Sequence, residues 1–147
     1  MKKLVILAAM VAAFSAQAAE VGLTGTRDYS GDNRNGYGVT IGDKFGAVGL
    51  TAGVERFNQG DRQDRYSVVA GYDVAKLGSV TITPKVGAAY LSNRAADNGY
   101  AMTVGVGASV PVTKTVSLGL DVARQYGQAR VDQFDGNRVT ASVRYGF

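Results

Sequence analysis

The charged side chains of this 147-residue chain are 16 Lys and Arg against 12 Asp and Glu, and it has neither His nor Cys. Without His there is no Ser-His or Asp-His arrangement, and the commonest metal ligand is missing. Without Cys there is no disulfide framework, which suits a chain that stays unfolded in an oxidising compartment. The acidic pair Asp61 and Asp64, with Arg62 and Arg65, has no ligand cluster around it and reads as a solvated loop. Gly105-x-Gly107 opens no helix and is no nucleotide fingerprint. What remains is a set of single charges among small and apolar residues. Seven of them are Glu20, Asp28, Glu55, Lys85, Asp121, Arg138 and Arg144; a separate trio is Arg27, Arg56 and Arg124. No catalysis, metal or cofactor is expected from these. Their meaning depends on the faces they occupy.

The elements that would position them begin after an export signal. Lys2 and Lys3 form a positive start, residues 4–14 an apolar run, and Ala16-Gln17-Ala18 a small-x-small cleavage site. Residues 1–18 are therefore expected to be removed, leaving one domain at 19–147. That is 147 less 18, or 129 residues; the net charge of +4 falls to +2 with the two signal lysines. No Lys/Arg-rich run supports nucleic-acid binding. No later stretch is apolar for 18 residues, so no helical span is expected.

Period-2 alternation dominates the rest. Eight runs are predicted as strands, at about 20–29, 36–45, 47–57, 65–75, 79–91, 99–110, 115–126 and 137–147. Each is close to the roughly 9–11 residues of a tilted bilayer-crossing strand. The connections at 43–46, 75–78 and 111–114 are short. Those at 30–35, 58–64, 92–98 and 127–136 are longer and rich in Gly, Asn and Asp. Short turns at one end and longer loops at the other form the outer-membrane barrel pattern, with both chain ends on the short-turn, periplasmic side.

One parity of each run is apolar: Val104, Val106 and Ala108, or Leu118, Leu120 and Val122. The other is small: Thr103, Gly105, Gly107 and Ser109. A soluble exterior would carry many Lys and Glu. A narrow lumen needs small residues, so the apolar parity is expected to face lipid. Aromatics on that parity support this. Tyr29, Tyr37, Tyr66, Tyr90, Tyr100 and Tyr126 fall at the outer ends of their runs. Phe45, Tyr72, Tyr145 and Phe147 fall at or near the inner ends. Two such girdles flank the aliphatic band of a membrane barrel. Phe57, off parity, and Phe134, in the last loop, fall outside them. Pro84 removes a ladder donor inside a strand, so a bulge or gap is expected there.

With these features the chain resembles the small eight-stranded outer-membrane β-barrels typified by the OmpA transmembrane domain, OmpX and the opacity-type surface proteins. The resemblance spans the mature chain and is architectural. Its most specific part is the last run, residues 140–147, ending Tyr145-Gly146-Phe147. This is similar to the family's signal for the barrel-assembly machinery, with Ser142 where the family usually has Gly. The resemblance implies an all-β, eight-stranded antiparallel up-and-down transmembrane barrel in the bacterial outer membrane. It also implies periplasmic chaperones during biogenesis, and a monomer is expected. Barrel enzymes of related folds rely on a His, which this sequence lacks.

The seven inward charges are expected to form one ion-pair network. Counting heights sets Glu20 beside Arg144, Asp28 beside Arg138, and Lys85 level with Asp121, with Glu55 joining them. Unpaired charges in so narrow a lumen would be costly. The network resembles the interior charge plug of the OmpA barrel. The outward trio Arg27, Arg56 and Arg124 sits at the outer ends of its strands, where the arginines either snorkel to water or meet the phosphates of lipopolysaccharide. A structural or surface role without catalysis follows. The alternatives are a host- or surface-binding adhesin of the OmpX type, which the short loops disfavour, and a narrow small-solute channel.

Overall fold

The computed structural model describes residues 20–30, 33–58, 62–93, 98–128 and 135–147. The expected signal peptide, Asp61 and Phe134 lie outside the described residues. Nine strand segments follow one another: β1 Glu20–Asp28, β2 Arg34–Phe45, β3 Val48–Phe57, β4 Gln63–Tyr72, β5 Ala75–Leu77, β6 Val80–Asn93, β7 Gly99–Pro111, β8 Val116–Gly127 and β9 Gly136–Gly146. Every neighbouring pair is antiparallel. The sheet closes on itself through β1 and β9, from Glu20↔Gly146 to Asp28↔Arg138. β5 continues β4 after a break, so eight strands make a closed up-and-down barrel with no free edge.

The break has a local cause. From Gln63↔Asn93 to Gly71↔Lys85, β4 and β6 keep one register. From Ala75↔Ile82 the register has slipped by one. Three residues, Tyr72–Val74, therefore face two, Thr83 and Pro84, which is a β-bulge. The N–H of Val74 donates to the carbonyl of Ile82 at 3.0 Å, so residue 82 points its backbone groups toward this edge. Backbone direction alternates along a strand, so Pro84 turns its missing donor to the same edge. The bulge sits where no donor exists, and Thr83 Oγ1 donates to the Asp73 carboxylate at 2.6 Å to hold it. Pro84→Ala is accordingly expected to change stability by less than about 0.5 kcal/mol in a urea titration of the folded barrel. A loss of several times that would show that the ring itself shapes the bulge.

Two short connections are set by glycine. Phe45↔Val48 and Leu77↔Val80 each leave a two-residue loop. Its first residue is Gly46 (φ 66°) or Gly78 (φ 64°), and no positive φ follows at Ala47 or Ser79. That is the II′ geometry matching strand twist. The turns thus fall at 46–47 and 78–79, later than composition alone suggested. At 112–115 the Thr113 hydroxyl accepts from the N–H groups of Thr115 and Val116 at 3.2 and 2.9 Å.

Burial inverts the soluble arrangement. Leu23, Val104 and Leu120 lie on the outside, more than half exposed. Among the described residues, the side chains shielded in the interior are mostly polar: Thr26, Glu55, Arg65, Ser67, Thr103, Gln125 and Arg138 are all buried.

Candidate functional site

Alternation sends every second side chain into the lumen, and Glu55, Arg65 and Arg138 arrive there from β3, β4 and β9. Glu55 is 5 % exposed, Arg65 5 % and Arg138 3 %. One oxygen of the Glu55 carboxylate accepts from Arg65 at 2.8 Å and from Arg138 at 2.7 Å. The other accepts from the Thr26 hydroxyl at 2.5 Å. Gln125 Oε1 accepts from both arginines, at 3.2 and 3.1 Å, and Arg65 also donates to Thr103 at 3.1 Å. Phe57 caps this layer, 1 % exposed, with the Arg138 guanidinium 5.6 Å from its ring centre. Room for that ring exists because the facing residue is Gly36, where an added Cβ would fall 2.6 Å from it. Together with buried Leu91, these groups fill the outer half of the barrel.

A second cluster lies toward the end that carries the two-residue turns. Lys85 donates to Asp121 at 2.5 Å. Arg144 approaches the other Asp121 oxygen at 3.6 Å and Glu20 at 3.9 Å. Between the two clusters is a cavity of about 120 Å³, lined by small polar residues such as Thr24, Thr51, Ser67, Thr140 and Ser142. The Thr24 and Ser142 hydroxyls are buried against it without a protein partner. A polar space of that size accommodates several waters. A smaller cavity of about 40 Å³, lined by Glu20, Asp43, Asp73, Lys85 and Arg144, lies beyond it at the inner mouth.

The expected single network is therefore two. Glu55 does not join Lys85 and Asp121, because the cavity separates them. Asp28 is level with Arg138 in register, yet its carboxylate accepts from the backbone and hydroxyl of Ser30 at 3.0 and 2.6 Å. Arg138 turns instead to Glu55. The reading of Arg65 as a solvated loop residue is corrected: it is a centre of the plug. Strand β4 begins at Gln63, so 65 takes the inward parity opposite Tyr66 and Val68. That parity was visible in the sequence. Gln125 was visible in the same way, on the small face of its strand, but an uncharged amide gave no reason to single it out.

On the outer wall, Tyr37, Tyr100 and Tyr126 are exposed at one end and Phe45, Tyr72 and Tyr145 at the other. Tyr66, Tyr90 and Tyr100 are successive register partners, and the last two rings meet at a tilt with centres 5.3 Å apart. Tyr145 and Phe147 meet edge to face at the same separation. The three outward arginines differ. Arg56 forms an ion pair with Asp64 at 2.8 Å. Arg27 and Arg124 each lie over the tyrosine two residues on, 5.5 Å from the rings of Tyr29 and Tyr126. No three metal-binding side chains cluster among the described residues.

No protein-family model matches the chain, and no curated protein does. Solved structures do match. The N-terminal β-barrel domain of Pseudomonas aeruginosa OprF aligns with a TM-score of 0.73 at 17% identity, over 88% of this chain and 97% of that one. Neisserial surface protein A, NspA, aligns at 0.68 and 16%, over 88% and 95%. The Yersinia pestis outer membrane protein Ail, in a phospholipid bilayer nanodisc, aligns at 0.57 and 12%, over 90% and 100%. At such identities the likeness is one of fold. The closed antiparallel ladder, the apolar outer wall and the polar interior agree with it: this chain has the fold of the small eight-stranded outer-membrane β-barrels.

Proposed function

We propose that the protein is an integral barrel of the bacterial outer membrane with a structural or surface role, a sealed lumen and no catalytic activity. The observation that carries this is the Glu55–Arg65–Arg138 layer, which spans from one wall to the other beneath Phe57. Both guanidiniums share the one carboxylate and also donate to Gln125, and Arg65 to Thr103, which favours a filled core over a conduit. Eight strands also leave an interior just wide enough to be filled by side chains. The outward aliphatic band between aromatic girdles supports the membrane setting. The absence of His removes the usual proton-transfer and nucleophile-activating partner.

Two measurements test the reading. Refolded in detergent, the chain should run as a heat-modifiable band on an unboiled gel with β-rich circular dichroism. In planar bilayers it should show no steady conductance. Lys85→Gln leaves Asp121 with Arg144 as its one cationic neighbour among the described residues. The substitution is expected to lower stability by about 1–3 kcal/mol without opening a path. A folded Lys85→Gln barrel that conducts would replace the sealed-lumen reading with a narrow channel.

A further inference from the structure

The outer wall across β1, β9 and β8 carries charge in an unusual place. Arg27 on β1 and Arg124 on β8 both point outward at the girdle end, on either side of β9. In register, Arg27 faces Val139 and Arg124 faces Asn137. Neighbouring strands are about 4.8 Å apart and the register partners of the two arginines are two residues apart along β9, so the two backbone positions lie roughly 12 Å apart across the sheet. Each guanidinium rests over a tyrosine ring, Tyr29 or Tyr126, and neither forms an ion pair among the described residues. The exposed Asn137 lies between Tyr29, whose N–H donates to its carbonyl at 2.8 Å, and Arg124. The patch therefore presents two cationic forks, which only donate hydrogen bonds, and a side-chain amide, whose NH2 group donates as well.

A second feature adjoins it on the same wall. One step inward from Arg27, the outward position on β1 is Gly25, and its register partners are Ala141 and Tyr37. A Cβ at Gly25 would meet nothing within 4 Å. The wall is indented here, between Leu23 below, Tyr37 on one side and Leu120 beyond Ala141. Donors at the headgroup level and an apolar notch below them match one kind of ligand.

Resting on the outer-membrane reading above, we infer that Arg27 and Arg124, with Asn137, bind the phosphate group of a lipid of the outer leaflet, and that an acyl chain of that lipid lies in the Gly25–Ala141 notch. Arginine forks suit phosphate because two parallel N–H groups match two oxygens. The tyrosine rings stabilise each guanidinium in its outward position through cation–π contact. Arg56 is excluded from the site because Asp64 already neutralises it.

The test uses the refolded chain in detergent micelles, with native mass spectrometry to read bound lipid. The probes are bisphosphorylated lipid A, the same lipid fully dephosphorylated, and inorganic phosphate. The wild type is expected to retain the bisphosphorylated lipid about tenfold better than the dephosphorylated one. The double substitution Arg27→Gln with Arg124→Gln should remove that preference, whereas Arg56→Gln should leave it within about twofold. Gly25→Leu fills the notch and should weaken retention while leaving the gel shift intact. Equal retention of the two lipids by the wild type, or an equal loss in Arg56→Gln, overturns the inference. Displacement of the lipid by excess inorganic phosphate would reassign the patch to free anions and overturn the lipid assignment. If the wild type gives no heat-modifiable band, it is the outer-membrane reading that falls. A folded barrel indifferent to phosphate removes only the site.

Discussion

Glu55→Ala is expected to be the most damaging single change in the lumen, costing about 3–5 kcal/mol. The carboxylate holds two guanidiniums that are both almost fully shielded from water. Removing it leaves two like charges facing each other across a narrow space, with Gln125 and Thr103 as their remaining hydrogen-bond partners in the plug. The chain has no Trp, so the measurement is a urea titration in lipid vesicles followed by gel mobility and circular dichroism. The companion variant replaces Glu55, Arg65 and Arg138 together with apolar residues of similar volume. It should recover much of the loss, because a buried ionic group is costly mainly when it is broken rather than when it is removed whole. If Glu55→Ala costs less than about 1 kcal/mol, water already reaches the arginines and the plug is not sealed.

Leu120→Arg tests the other face. Leu120 lies midway along β8, outward and about half exposed, with Ala108 and Ala141 as register partners. In a bilayer an arginine at this depth is expected to cost about 2–4 kcal/mol. An arginine at Val74, in the bulge at the inner end, should cost only about 0–1 kcal/mol. A hydrocarbon slab produces that dependence on depth because the charge can snorkel from the ends and not from the centre. Equal penalties at the two positions would mean that the outer wall meets no bilayer, and the apolar band would need another covering.

Much of this architecture was legible in the residues. Alternation is a backbone property, since successive side chains leave opposite faces of a strand. It marked eight runs and put Glu55, Lys85, Asp121, Arg138 and Arg144 on the inward parity. The aromatic positions carried the height along the barrel, because tyrosine rings are stable at the interface and aliphatic chains in between. Glycine marked the two tightest turns through its freedom at positive φ, although their placement one or two residues later came only from the register. Pro84 announced a fault in the ladder by chemistry alone, because it has no donor to offer.

Partner choice among the charges was legible only in part: Lys85 meets Asp121 and Arg144 approaches Glu20 at the counted heights, whereas the partners of Glu55, Asp28 and Arg138 were not legible. Parity gives the face and the run gives the approximate height, but an arginine side chain reaches several ångströms across the lumen. Which carboxylate it meets depends on how strand tilt and stagger bring distant residues level. That is why Glu55 closes on Arg138, 83 residues away, while Asp28, the register neighbour of Arg138, bonds to Ser30. Arg65 opens the fourth alternating run, but the loop-like composition around Asp61–Asp64 hides its part in the plug, which the pairing Glu55↔Arg65 makes plain. Alternation, the apolar face and the two aromatic girdles that bound it could be read from the residues, because those follow from periodicity and transfer free energy. How the lumen charges divide into two clusters about a cavity, and that of the outward arginines Arg56 has a carboxylate partner while Arg27 and Arg124 have none among the described residues, came only from closure of the sheet.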